Sequence, residues 1–311
     1  MRTFSGLLET NFDFGPATLL WKYVVGNAVR GAGISGDGGI IAAGASDNTI
    51  YCLDRKGKLL WSYSTDDFVY GVAVSHDGST IVGGSDDNHV YCLEKGGKLI
   101  WKYNIGSFVL GVASSFDAST IVVGSENKNV YCFNRLGKVQ WKYLAGDFVS
   151  TVAISSTGST IVAGSRDKNI YCLSSTGKLI WQRKLDDAVW GVAVSGDGKR
   201  IIAGLGNNNI IGFDKEGRDV WRYGTGDSVW GVAISKDGSV IVATSSDNYL
   251  YCLNGEGELN WRYALGTNGL GVAVSSDGST IVAGSWDKKL YCFDNTKTVK
   301  AEPTVVTSKR K

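Results

Sequence analysis

Only two histidines, His76 and His89, occur in the 311 residues, and they stand in different turns of one repeat. Neither belongs to a nucleophile elbow, a phosphate-binding loop or a pair spaced for zinc. Both read as exposed turn residues. The six cysteines, Cys52, Cys92, Cys132, Cys172, Cys252 and Cys292, form no Cys-x-x-Cys pair, so a structural zinc site is not expected. Carboxylates are more numerous but very regular. Asp37, Asp77, Asp197, Asp237 and Asp277 occupy one recurring turn, and Asp47, Asp87, Asp167, Asp247 and Asp287 a second. Aspartate in such a place accepts hydrogen bonds from nearby backbone amides and shapes the turn. A third set, Asp67, Asp147, Asp187 and Asp227, alternates with Asn27, Ser107 and Thr267, all side chains that cap a turn. Calcium would need roughly six or more converging oxygens, and a repeat spreads these apart. The expectation is therefore no catalytic residue, no metal and no cofactor. What remains with binding chemistry is the set of ten tryptophans and the arginines near them.

Seven of those tryptophans, Trp21, Trp61, Trp101, Trp141, Trp181, Trp221 and Trp261, recur at a spacing of forty without slippage. The stretch IYCLDRKGKLLWSY, residues 50–63, shows why. Two alternating segments rich in β-branched and aromatic residues flank a turn containing Asp and Gly, which is a hairpin. Upstream, VYGVAVS (69–75) and TIVGGS (80–85) add two more strands before VYCLE (90–94) and LIWKY (99–103). Four short antiparallel strands per forty residues make one propeller blade. The first two are apolar on both faces, so each blade must be covered by its neighbours. The spacing predicts an all-β, seven-bladed propeller.

The last copy lacks its fourth strand, for position 301 is Ala, whereas Leu19–Tyr23 is a fourth strand without a blade. The N-terminal strand is therefore expected to complete the C-terminal blade and remove two free edges. This divides the chain into an N-terminal extension (1–17) crossing the surface, a propeller (18–294) and a polar, basic tail (295–311). Equivalent cysteines in stacked sheets lie at least ~10 Å apart, too far for the ~7 Å that a disulfide tolerates. They read as free, buried thiols, which fits a reducing, cytoplasmic setting, as does the lack of a signal peptide. A net charge of +2 gives no field to attract nucleic acid. No apolar run is long enough to cross a membrane as a helix.

Comparison of the copies with one another separates packing from other duties. Two positions vary most: the start of the first strand (Arg30, Tyr70, Leu110, Ser150, Trp190, Trp230, Leu270), and the turn between the second and third strands (Ser46, Asp86, Glu126, Arg166, Gly206, Ser246, Trp286). With strands lettered a to d, the d–a and b–c loops emerge on one face. Arg30, Tyr70, Arg166, Trp190, Trp230 and Trp286 are accordingly the candidate binding residues, because Trp and Arg stack on rings and bond polar edges. Trp286 is expected to be the most exposed. Trp190 and Trp230 could equally pack between blades.

The segment GVAVSxDGSTIVAGSxDxxxYCLD resembles the first three strands of a WD40 blade. Y-x-L-D-x-x-G-K-x-x-W is similar to the tryptophan-docking motif of quinoprotein-type, PQQ-like propellers. The resemblance implies that the seven period-forty tryptophans pack between adjacent blades and lock them. There are departures: quinoprotein dehydrogenases have eight blades, a calcium site and adjacent cysteines, none of which is found in this sequence, so binding of pyrroloquinoline quinone is not expected. The Trp-Asp ending of WD40 blades is also absent. The reading favoured is a monomeric, non-catalytic scaffold holding a protein, peptide or glycan on its d–a/b–c face. The alternatives are a quinoprotein-type cofactor-binding enzyme, and a structural module of a larger surface or sensor protein.

Overall fold

The computed structural model describes residues 17–296. Most of the expected extension and tail lies outside the described residues. β1 (Thr18–Val24) is followed by β2 (Val29–Ile34), β3 (Ile40–Ala45), β4 (Thr49–Asp54) and β5 (Leu59–Ser64). The four-strand unit β2–β5 then recurs in five further blades, ending with β25 (Leu259–Ala264). The last three strands are β26 (Gly269–Val274), β27 (Thr280–Ser285) and β28 (Lys289–Asp294). Seven four-stranded antiparallel sheets result, and the last has the order β1-β28-β27-β26. In that sheet Trp21 sits opposite Cys292, just as Trp61 sits opposite Cys52 within the first blade. β1 is thus the missing outer strand, and the ring is a seven-bladed propeller closed by its N-terminal strand.

The core consists of clusters between neighbouring blades rather than a single centre. Ala42 and Ile50 of the first blade, for example, bury against Val69, Ile81 and Leu93 of the second. Strand β3 is buried along its whole length, whereas β5 alternates between half-buried and exposed residues at the rim. Stability in such a ring is approximately a sum over adjacent pairs.

Each docking tryptophan spans one of these seams. Trp21 Nε1 donates to the Arg55 carbonyl of the next blade at 3.0 Å, Trp61 to Lys95 at 2.7 Å, and Trp141 to Ser175 at 2.9 Å. The turn that receives the indole carries a glycine for two reasons. Gly137 has φ of +76°, which disfavours a side chain, and an added Cβ would lie 2.7 Å from the Trp101 ring. At the seam between the last two full blades the pattern breaks. Arg200 Nη1 takes the equivalent carbonyl, Gly255, at 2.7 Å, and Gly212 replaces cysteine beneath an indole, Trp221, that a Cβ would strike at 2.3 Å. At the closure, Trp261 Nε1 donates to Asn295 Oδ1 at 2.9 Å, and Trp261 shares a buried cluster with Ala17. Ala17 and Asn295, assigned to extension and tail from the sequence, both touch the propeller core.

The turn aspartates are structural. Asp37 Oδ1 accepts from the Ser35 hydroxyl and the Gly39 amide at 2.6 and 2.8 Å. Asp47 Oδ2 accepts from the Tyr51 hydroxyl and the Gly26 amide, each at 2.7 Å, so it pins the preceding loop to strand c. At the a–b end the blades are joined by backbone bonds. Gly36, His76, Phe116, Ser156, Gly196, Lys236 and Ser276 donate and accept in turn, with distances of 2.8 to 3.2 Å, and the circle closes on itself. The expectation that both histidines are exposed turn residues is corrected here. His76 is half-buried in this circle, its ring stacked on Phe116 at 4.0 Å. His89 begins a c strand, is half-buried, and holds Asp87 through Nδ1.

Candidate functional site

The opposite end of the axis, where the d–a and b–c loops emerge, is open. The seven variable residues at the start of strand a are set there by one backbone device. In the first blade the a–b register passes from Val29↔Ala45 to Gly31↔Gly44 and skips Arg30. Tyr70, Ser150, Trp190 and Trp230 are skipped in the same way in their own blades. A bulge turns the skipped side chain away from the alternation of its neighbours and is frequent beside binding sites. Here it gathers the side chains around the channel.

They line a cavity of about 360 Å³ on the axis. All six residues singled out in the sequence, Arg30, Tyr70, Arg166, Trp190, Trp230 and Trp286, border it, together with Leu110, Ser150 and Leu270. Below them the wall is apolar: Ala32, Val72, Val112, Val152, Val192, Val232 and Val272 form a collar. Further along the axis lie spaces of about 260 and then 150 Å³, lined by the small and branched residues of strand a and by the far circle.

The side chains at the mouth are held rather than loose. The Arg30 guanidinium carbon lies 4.4 Å from the Tyr70 ring centre and 5.1 Å from that of Trp286, while Nε donates to Ser46 Oγ at 2.5 Å. The Arg166 carbon lies 4.9 Å from the Trp190 ring and 5.0 Å from that of Phe148. Trp190 and Trp230 meet with ring centres 4.7 Å apart, and Trp230 Nε1 donates to Ser246 Oγ at 2.6 Å. Both of these tryptophans are half-buried, whereas Trp286 is 49% exposed. A cation over an aromatic face is worth ~0.5–2 kcal/mol, depending on desolvation. These contacts orient the two guanidiniums while leaving their outer N–H edges uncommitted.

The electrostatics are asymmetric. Among the described residues neither Arg30 nor Arg166 is in an ion pair, and no Asp, Glu, Asn or Gln lines the cavity. Burial raises the pKa of the Tyr70 hydroxyl, Arg30 and Arg166 lower it, and Asp86 and Glu126 raise it again. Ser150 Oγ, in the wall, is buried without a hydrogen-bond partner among the described residues. Behind the mouth, Asp86 Oδ1 is similarly buried and unpaired. Burial, with Asp67 and Glu126 nearby, pushes the Asp86 carboxyl up to about 6.

Sequence comparison of the copies overlooked Phe68 and Phe148, the rings beneath the guanidiniums. A signal was present. Phenylalanine stands at that position in three successive copies, Phe68, Phe108 and Phe148, against Ala28, Ala188, Ser228 and Asn268 elsewhere.

Three overlapping segments, residues 46–188, 126–229 and 206–301, match the family described as outer membrane protein assembly factor BamB. The chain belongs to that family. No curated protein matches the chain. Membership of the BamB family agrees with the blade motif and with the interblade tryptophans. Assembly of outer membrane proteins is what the family's description says of BamB itself. Pyrroloquinoline quinone with a calcium ion does not fit the axial cavity of this BamB-family chain, because among the described residues no carboxylate or side-chain amide lines it to ligate the metal. Among the described residues there is also no group of three or more His, Cys, Asp or Glu placed to hold a metal.

Proposed function

We propose that this propeller is a non-catalytic binding scaffold, a monomer that receives a protein, peptide or glycan at the d–a/b–c mouth. One observation carries the reading: the residues that break the sevenfold repeat most strongly are brought by the strand-a bulge and the b–c turn into one concave, aromatic and cationic cavity. Ligand pockets are typically concave and largely apolar with a few oriented polar groups, and Trp, Tyr and Arg dominate the energetics of binding surfaces. A symmetric ring must depart from its symmetry to fit an asymmetric ligand. The departures here are large side chains at one end, whereas the seams keep their pattern nearly everywhere.

The test is a peptide array and a glycan array probed side by side with the native chain and with Trp286→Ala, Trp230→Ala and Arg166→Ala. Each substitution should weaken the retained spots. Trp286→Ala and Arg166→Ala should leave the thermal midpoint within about 2 °C of native. Trp230→Ala should lower it somewhat more, given the bond to Ser246 and the contact with Trp190. Spots that survive all three substitutions in folded protein would place the binding surface elsewhere.

A further inference from the structure

Resting on that reading, we infer that the mouth recognises the free carboxyl terminus of a peptide ending in an apolar residue. The argument begins with what the cavity offers. Its charged groups are two guanidiniums, Arg30 and Arg166, and neither has a carboxylate partner. The remaining polar groups in its lining side chains include the Tyr70 and Ser150 hydroxyls and the Trp190 and Trp286 indole N–H groups, none of which is engaged in a hydrogen bond among the described residues. Such a wall is rich in donors and offers no ionised acceptor. Such a lining favours a ligand that brings a negative charge to the guanidiniums.

Geometry narrows the anion. The guanidiniums lie over Tyr70, Trp286, Trp190 and Phe148, so their faces are covered and their planar edges are free. A planar fork of N–H donors matches the two oxygens of a carboxylate.

Depth narrows the carrier. Immediately below the guanidiniums the wall becomes the valine collar, which offers a sugar's hydroxyls few side-chain partners and an aliphatic or aromatic side chain a dry surface. The cavity is about 360 Å³ and tapers along the axis to about 260 and 150 Å³. That is at the small end of ligand pockets, roughly 300–1,000 Å³. An internal acidic residue would have to send chain out of the mouth in both directions. A chain end leaves by one exit, sets its carboxylate against the free edge of a mouth arginine, and lowers its last side chain into the collar. Trp286, half-exposed at the rim, would cover the preceding residue.

The experiment is fluorescence anisotropy with three labelled hexapeptides of sequence Gly-Ser-Gly-Ser-Ala-Leu: free acid, C-terminal amide, and a version with the terminal Leu replaced by Ser. Native chain, Arg166→Gln, Arg166→Lys and Trp286→Ala are each titrated, after their melting curves are shown to be cooperative. The free acid should bind, and the amide and the Ser-terminated peptide should bind about tenfold or more weakly. Arg166→Gln should bring the free acid down to the level of the amide while leaving the amide unchanged, and Arg166→Lys should recover part of the loss. Equal binding of acid and amide, still sensitive to Trp286→Ala, would overturn the carboxylate inference and leave the binding face standing. Binding of an oligouronate but of no peptide would overturn it in favour of a glycan. Failure of every peptide and of the oligouronate would overturn it together with the proposed function.

Discussion

Asp86 and Asp237 are both turn aspartates by sequence, yet the fold gives their charges opposite effects. Ser235 donates to Asp237 and the Ser239 amide adds a second bond, so its carboxyl is held below the ordinary value. Stability from such a group is present above the unfolded value near 4 and lost as pH falls through the folded one. Asp86 is the reverse case. Burial raises it to about 6, so its contribution is full below about pH 4 and is lost as pH rises through 6. Asp86→Asn should therefore raise the thermal midpoint at pH 8, by about 2 °C, with the gain vanishing towards pH 4. Asp237→Asn should lower it at pH 7, with the deficit vanishing towards pH 3. Paired melting curves across pH check both. Identical pH profiles for the two variants would show that the turns are electrostatically equivalent. The partner of Asp237, Ser235, is two residues away in the chain, whereas the burial of Asp86 and its neighbours Asp67 and Glu126 come from the fold.

At the level of elements, the seams were legible because packing repeats: the same indole, the same turn glycine and the same small thiol return every forty residues. Trp141→Ala should cost about 3 kcal/mol, read from denaturant unfolding. Gly137→Ala should cost about 2 kcal/mol through positive φ and the clash with Trp101. If Gly137→Ala melts with the native chain, the turn does not carry the indole. The cysteines of strand c test the same packing from inside. Burial pushes the thiols of Cys52, Cys92, Cys252 and Cys292 up to about 12 and those of Cys132 and Cys172 up to about 11. A bulky maleimide at pH 7 should label them only at the rate of unfolding. The bulge at Arg30, Tyr70, Trp190 and Trp230 was not legible. A skipped residue is a property of pairing between two strands and leaves no mark in either one's composition. For that reason the sequence could place the mouth residues on one face but not say that a bulge turns them toward the axis, and it could not foresee that His76 would enter the far circle. Departures such as Arg200 with Gly212 could be seen only as missing members of a pattern. The exchange of a tryptophan hydrogen bond for an arginine one needed coordinates.

The whole molecule is a ring whose two ends have different tasks. At one, seven backbone bonds close a circle; at the other, bulges turn varied side chains inward; between them the N-terminal strand seals the last blade. Removing residues 1–24 would expose the edge of β28 and leave the Trp21 site on Gly57 empty, so aggregation or severe loss of stability is expected. The order of the elements and the closure could be read from the period alone, because a missing strand at one terminus and a surplus one at the other admit one ring. The ligand could not be read that way, for recognition depends on which edges of Arg30 and Arg166 the aromatic rings leave free. The central claim is that the residues breaking the repeat at the mouth bind and do not build the fold. Its most direct test is one variant carrying Arg30→Gln, Arg166→Gln and Trp286→Ala, compared with the native chain in melting and in titration with the free-acid hexapeptide. The account expects a cooperative transition within about 5 °C of native and binding reduced at least about tenfold. A folded variant that binds as the native chain does, or one that no longer folds, would contradict it.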